Sequence, residues 1–363
     1  MKRHIFILFV VFQLFNSALY SQDGRLSRPS LMPILYNPAL SGNFDGLVNV
    51  GTGSSWQRNN NNKVAHQFSF VDLHLKRSQN LGLGSVSDPK INNALTDESS
   101  KEQNKYVGIT LANYSYGKDL FGIYPNKNPI NANFFSASVS YNMYLTADHV
   151  HSMGFGLQGV FATANLNEQR GAYDKEISGG GFGWADLLVP GTTVRSNPGY
   201  IDVNFGTYYR YRVPNVQFEF GVAGYHYTKP KFSLKDPGSD TKVQRARNVV
   251  HSSIELTLAN EKSLLFRNIF WKEGFLLNSS TTDPYILSTY WNSIELKDNN
   301  QLHAVRLTTG IGSRSFETVM PYIEMKFRKA VNVSISYEEP LKLSSTSYLN
   351  ARRFEIGINW LIR

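Results

Sequence analysis

Along much of the chain apolar and polar residues alternate one for one, the two-residue period of a strand whose faces meet opposite surroundings. Three segments carry the pattern most cleanly. Between Ile201 and Arg212, the residues Ile201, Val203, Phe205, Tyr209 and Tyr211 alternate with Asp202, Asn204, Tyr208, Arg210 and Arg212. Between Phe134 and Leu145, Phe135, Ala137, Val139, Tyr141, Met143 and Leu145 alternate with Ser136, Ser138, Ser140 and Asn142. At the C-terminus Phe354, Ile356, Ile358, Trp360 and Ile362 alternate with Glu355, Gly357 and Asn359. A transmembrane antiparallel β-barrel produces this pattern with its apolar set toward lipid and its polar set toward the lumen. A soluble sandwich produces it with the apolar set toward a core.

Carried along the chain, the pattern predicts about fourteen strands in an all-β protein. They fall near residues 46–57, 64–75, 106–117, 131–145, 151–165, 200–212, 216–228, 248–260, 262–273, 284–297, 301–313, 317–328, 330–339 and 351–363. A tilted strand needs about 9–11 residues to cross a bilayer, and bacterial barrels have even strand counts. The connections supply a second test. Short ones at 146–150, 213–215, 260–262, 298–300 and 328–330 follow even-numbered strands, while the long segments 166–199 and 229–247 follow odd-numbered ones. With a periplasmic N-terminus, the short turns then lie in the periplasm and the long loops outside the cell. The polar stretch 76–105 breaks the rule. It reads as an insertion facing the periplasm, unless the run Leu81–Val86 within it is a further strand, which would make the count odd.

The N-terminus changes the picture by excluding a soluble cytoplasmic protein. Lys2 and Arg3 precede the apolar run Ile5–Phe15, which gives way to small and polar residues, so residues 1–21 read as a secretory signal peptide cleaved between Ala18 and Ser21. A spanning helix would need about 20 apolar residues, roughly twice this run. Residues 22–45 are then a periplasmic or luminal lead-in, and 46–363 the barrel of an outer-membrane protein. The chain contains no cysteine, which excludes a lipoprotein anchor, a disulfide framework and thiolate metal sites. Aromatic residues make up 13% of the chain, with 20 Tyr and 23 Phe, as suits strands with aromatic girdles. The formal charge of +9 falls by two when Lys2 and Arg3 leave with the signal. Its basic residues are scattered, without a helical cluster or a recognisable motif, so no nucleic-acid partner is expected. Anionic lipid headgroups or an acidic protein remain as partners for that excess.

Candidate chemistry is sparse. In Asn37-Pro38-Ala39 the proline fixes one dihedral and biases Asn37 away from helix, which favours a rigid lead-in positioning the first strand. The functional alternative is a segment that folds into the lumen or meets a periplasmic partner. The stretch Ser178–Trp184 is glycine-rich but lacks the lysine and following helix of a phosphate loop. It reads as an external loop displaying Phe182 and Trp184, candidates for a protein contact or for packing within the loop. His149 and His151 lie across a turn without the further ligands of a metal site, and no metal or cofactor is implied. His66 and Ser69, three residues apart, fall on opposite faces of a strand and cannot form a hydrolase pair. No catalytic residue is assigned. The inward positions Asp202, Arg210, Arg212, Glu219 and Glu255 either line a channel or form a network that closes the lumen, because isolated buried charges are costly.

Tyr36-Asn37-Pro38-Ala39-Leu40-Ser41-Gly42 resembles the asparagine-proline-alanine-x-x-glycine motif that opens the PorP/SprF family of type IX secretion membrane proteins. Ser54-Ser55-Trp56-Gln57-Arg58 and Gln67-Phe68-Ser69-Phe70 resemble that family's first hairpin, and Phe205–Tyr209 and Phe354-Glu355-Ile356-Gly357 its later strands. Two segments, Leu81–Asp88 and Tyr106–Asp119, compete for the family's glycine-rich strand and its asparagine-aspartate turn. The chain also ends Leu361-Ile362-Arg363 where an aromatic commonly closes an outer-membrane strand, leaving Trp360 to serve. The resemblance implies a non-enzymatic barrel in the outer membrane of a Bacteroidetes-type bacterium. Its implied partners are type IX secretion components or a secreted surface adhesin, and its implied roles are secretion, surface attachment and gliding. Tyr36, Asn37, Pro38, Phe182 and Trp184 are the candidate partner-binding residues. A porin or substrate-specific channel is the alternative that the polar lumen face keeps open.

Overall fold

The computed structural model describes residues 26–44, 46–59, 62–76, 105–116, 130–166, 199–232, 242–243, 246–259, 266–279, 285–296, 305–327, 330–341 and 352–362. Residues 1–21, expected to be a signal peptide, most of the stretch 76–105 with its run Leu81–Val86, and Phe182 and Trp184 lie outside the described residues.

Three single-turn 3-10 helices, Pro29–Leu31, Pro33–Leu35 and Pro38–Leu40, precede the strands. Each begins on a proline, whose fixed φ and missing N–H suit the first position of a turn. The strands are β1 Val48–Asn59, β2 Asn62–Lys76, β3 Lys105–Tyr116, β4 Ile130–Tyr144, β5 His151–Leu166, β6 Gly199–Val213 and β7 Val216–Tyr225. After two short strands, β8 Lys231–Phe232 and β9 Lys242–Val243, come β10 Arg247–Ala259, β11 Phe266–Asn278, β12 Tyr285–Leu296, β13 Val305–Arg314, β14 Thr318–Phe327, β15 Val331–Pro340 and β16 Arg352–Ile362.

Fourteen of these close into a barrel in which every neighbouring pair is antiparallel; β8 and β9 pair only with each other, outside it. β1 joins β16 in register from Val48 opposite Ile362 to Arg58 opposite Arg352, so no sheet edge is left open. The fourteen expected strands are the fourteen of the barrel. Alternation also assigns the faces correctly. Ile201, Val203, Phe205, Phe135, Val139, Ile358 and Trp360 are exposed on the outside, whereas Asp202, Asn204, Tyr208, Ser138, Ser140 and Glu355 are buried inside.

β1 begins and β16 ends at the same rim, called here the near rim. The turns at 145–150 and 214–215 lie on it, as do the end of β14 and the start of β15, while β5 ends and β6 begins at the far rim. Boundaries shift where local geometry overrides the pattern. β7 stops at Tyr225 rather than 228, because His226 takes a left-handed φ of 59° and turns its ring to Asp202, 2.6 Å away. β11 runs to Asn278, well past the expected end at 273. Gly274 does not break it; it pairs with Ser253 and Thr289 and faces inward. Of the two segments competing for the glycine-rich strand, Tyr106–Asp119 lies in β3 as far as Tyr116, and β3 pairs in full with β4.

Candidate functional site: the luminal segment and the cavity beside it

The residues before β1 run inside the barrel. Starting from Leu26, the segment descends toward the near rim and reaches β1 through Phe44–Leu47, and most of its side chains touch the wall. Leu26, Leu31, Met32 and Ile34 pack on Phe68, Phe70, Ala112 and Tyr114 of β2 and β3. Tyr36 reaches the opposite wall, among Tyr225, Val249, Leu276, Tyr285, Leu287 and Met320. Its hydroxyl donates to the Leu26 carbonyl at 2.9 Å and accepts from the Leu26 N–H at 3.0 Å, folding the segment back on itself. Burial pushes the Tyr36 phenol well above its ordinary pKa, so it stays protonated and keeps that donor.

Polar ties fix the two ends. The Ser27 N–H donates to both carboxylate oxygens of Glu355, at 2.8 and 2.9 Å, and its hydroxyl donates to Glu338 at 3.2 Å. Arg28 pairs with Glu324, and Arg247 donates to the Leu35 carbonyl at 2.9 Å while its guanidinium lies over the Tyr225 ring. At the near-rim end the Gly42 N–H donates to Asp72 at 2.7 Å, and the Ser41 carbonyl accepts from the Ser140 hydroxyl at 2.6 Å. Glu338 also faces Arg314 and Arg353, at 3.3 and 3.5 Å. These charges form a network with the segment.

The asparagine, proline, alanine and glycine of the Asn37–Gly42 motif each have a local reason. Asn37 is fully buried; its side-chain carbonyl caps the turn by accepting from the Ala39 N–H at 3.0 Å. Its amide donates to the Thr207 carbonyl at 2.9 Å and lies 2.9 Å from His251 Nε2. An amide nitrogen is only a donor, so Nε2 must carry the lone pair, and the ring proton sits on Nδ1, which faces Glu219 at 3.8 Å. Pro38 and Ala39 lie so close to β5 that a Cβ on Gly156 would stand 2.3 Å from the Ala39 nitrogen. Gly42 has φ +68° and touches Gly108, where any side chain would collide with the Ser41 carbonyl.

On the β7–β12 side the fit opens into a cavity of about 330 Å³ lined by Pro33, Tyr36, Asn43, Arg210, Glu219, His251, Lys272 and Trp291. Arg210 pairs with Glu219 directly across the β6–β7 register and donates to the Asn43 side-chain carbonyl at 2.6 Å. Nearby, Glu255 lies 3.6 Å from Lys272 and 3.9 Å from Arg306. The opposed charges suit a hydrated site that recognises polar groups by hydrogen bonding rather than by net charge.

Of the sequence-derived candidates, Tyr36, Asn37 and Pro38 are brought together here, all facing the barrel's own wall. A partner could touch them only once the segment leaves its seat. His149 stacks on Tyr144 and His151 meets the Tyr209 hydroxyl at 2.7 Å; among the described residues no group of three or more acidic or histidine side chains is placed to hold a metal. His66 faces the lumen and Ser69 the lipid. The wall residues Asp72, Ser140, Thr207, His251 and Glu355 were not singled out as contacts of the segment. The available signal was the recurrence of glycine on the inward phase of strands, at 108, 156, 206, 221 and 357, which calls for something packed against them.

A family model described as "Type IX secretion system membrane protein PorP/SprF" matches residues 20–360. No curated protein matches the chain. Among solved structures, the toluene transporter TbuX of Ralstonia pickettii is similar at 10% identity and a TM-score of 0.43, covering 96% of this chain and 98% of that one. The Pseudomonas putida toluene transporter TodX is similar at 11% identity and a TM-score of 0.38, covering 94% and 98%. CdiB from Acinetobacter baumannii is similar at 8% identity and a TM-score of 0.39, covering 86% of this chain, which spans 60% of the length of CdiB. Likeness at this level carries no argument about what the barrel conducts or binds.

Proposed function

Because the chain belongs to the PorP/SprF family of type IX secretion system membrane proteins, we propose that this outer-membrane barrel works by protein contact and not as an open pore. Its partners are a secreted surface protein, such as an adhesin, or components of the secretion machinery. The loops of the far rim, taken as external, would meet the first, and the near rim, taken as periplasmic by its short turns, would meet the second. Phe182 and Trp184 are the proposed aromatic contacts on the external side.

The observation that carries the reading, beside the family, is the segment seated across the lumen and tied at both ends by Glu355, Glu324 and Asp72. A lumen so occupied is poorly suited to passive diffusion. It is suited to a segment that answers to a partner, because Tyr36, Asn37 and Pro38 become available only when it moves. The protein purified from its own outer membrane should co-purify with a type IX component or a secreted surface protein, and replacing Phe182 and Trp184 by Ala should lower the yield of the secreted one. Absence of both partners, together with steady ion conductance of the unmodified protein in planar bilayers, would overturn the proposal in favour of a porin.

A further inference from the structure

The middle of a barrel's outer surface faces hydrocarbon, where an ionised side chain is costly unless something pairs it. Strands β4 to β6 meet that demand with Phe135, Val139, Leu157, Phe161, Ile201 and Val203. The outward charged side chains Arg58, Lys105, Glu339 and Arg352 each lie within two residues of a strand end, where water and headgroups can reach them, and the last two pair with each other at 2.9 Å.

Glu273 departs from this. It is exposed on the outside of β11, five residues from the far-rim end and seven from the near-rim end, with Trp271 and Phe275 on either side along its own strand. In the neighbouring strands Ile254 and Tyr290 stand opposite it. It has no hydrogen bond or ion pair among the described residues. The carboxylate borders a groove of about 610 Å³ floored by Ser252, Ser288 and Ser313 and walled by Phe218, Tyr290 and Ile311. Small residues let another backbone approach closely, and the serine hydroxyls offer it hydrogen bonds.

From the lone carboxylate and its groove we infer that the outer face of β10 to β13 is the seat of a second membrane-embedded polypeptide, one that brings a lysine, arginine or histidine to Glu273. Acyl chains supply no donor. Lipid phosphates lie at the rims and repel a carboxylate. A second copy docked face to face would oppose one Glu273 to another in a medium that strengthens their repulsion. Charge complementarity therefore selects a different polypeptide with a basic side chain within the bilayer. The inference holds whatever the loops of the far rim bind.

A photo-crosslinking residue at Ser288 of the full-length protein, irradiated in its native outer membrane, tests this, with the same residue at Val203 as control. The expected result is one discrete adduct at Ser288 and none at Val203, its crosslinked peptide coming from a membrane segment of another protein and carrying a basic residue. E273K should lower the yield at least tenfold and E273Q two- to threefold. Heat-modifiable migration on gels verifies that each variant barrel is folded. Purified alone in micelles, E273L should unfold at a higher temperature than the parent, since the charge serves association and not the barrel. Lipid adducts alone, a self-adduct, a yield indifferent to E273K, or a lower unfolding temperature for E273L would each overturn the inference.

Discussion

Two walls of the same barrel treat the luminal segment differently. On β3, β5 and β6 the inward positions Gly108, Gly156 and Gly206 let the segment approach the strand backbone, and a single added carbon would meet Ser41, Ala39 or Asn37 at 2.0 to 2.3 Å. On β10 to β12 the inward positions carry His251, Glu255, Lys272 and Trp291, and the fit loosens into the 330 Å³ cavity. The outer surfaces differ in the same sense. Among the described residues the glycine-lined wall carries no outward charge away from its strand ends, and the charged wall bears Glu273. One wall is thus specialised to hold the segment and lipid, and the other leaves room and polar groups on both of its faces.

The contrast breaks most sharply by filling the glycine seat. G156V should displace the segment entirely and convert the barrel from closed to conducting, read as channel openings in planar bilayers. S253V, which puts the same side chain on the cavity wall, should leave the barrel closed. Equal conductance from both variants would mean that the walls do not differ. A smaller effect is expected from N37A, which removes the turn cap and two side-chain hydrogen bonds made inside the lumen. From the usual cost of a lost cap and of unsatisfied buried groups, it should destabilise the barrel by about 2–3 kcal/mol in denaturant unfolding in micelles.

On the looser wall, R210A strips Glu219 of its partner in a site that water can enter. Its cost should be about 1–2 kcal/mol, below the ~3–5 kcal/mol expected for a fully buried pair. A cost at the higher figure would mean that the cavity is dry. The smallest change should come from R352A on the outer surface, where Arg352 and Glu339 are both substantially exposed. Less than about 1 kcal/mol is expected there, and less still at high salt.

The barrel was legible because lipid and lumen impose opposite demands on alternate residues, and a period of two survives in a single sequence. Asp202 and Ile201 needed no knowledge of their neighbours to be placed. The seat of the segment was not legible in that way. That Asn37 meets Thr207 and His251, and Ser27 meets Glu355, depends on contacts between residues 170 to 328 positions apart, and alternation carries no information on which strands lie across the lumen. The motif's proline and glycine announced irregular backbone near Pro38 and Gly42, and a rigid lead-in outside the barrel satisfies that demand as well as a turn seated within it. The extent of β11 differs from expectation for a related reason: a glycine ordinarily weakens a strand, and Gly274 is carried by its pairing with Ser253 and Thr289, which the local sequence does not show.

The short link Phe44–Leu47 between the seated segment and β1 has a mechanical consequence. β1 is hydrogen-bonded along its length to β2 on one side and to β16 on the other. Ladder bonds run perpendicular to the strands, so a pull from the near rim along β1 loads them together in shear, while a pull across the wall would part them one at a time. A force that withdraws the segment through the near rim thus meets the closing seam in its stronger direction. Emptying the lumen and splitting the wall become separate events with separate force thresholds, and the first can be reversed without disturbing the second.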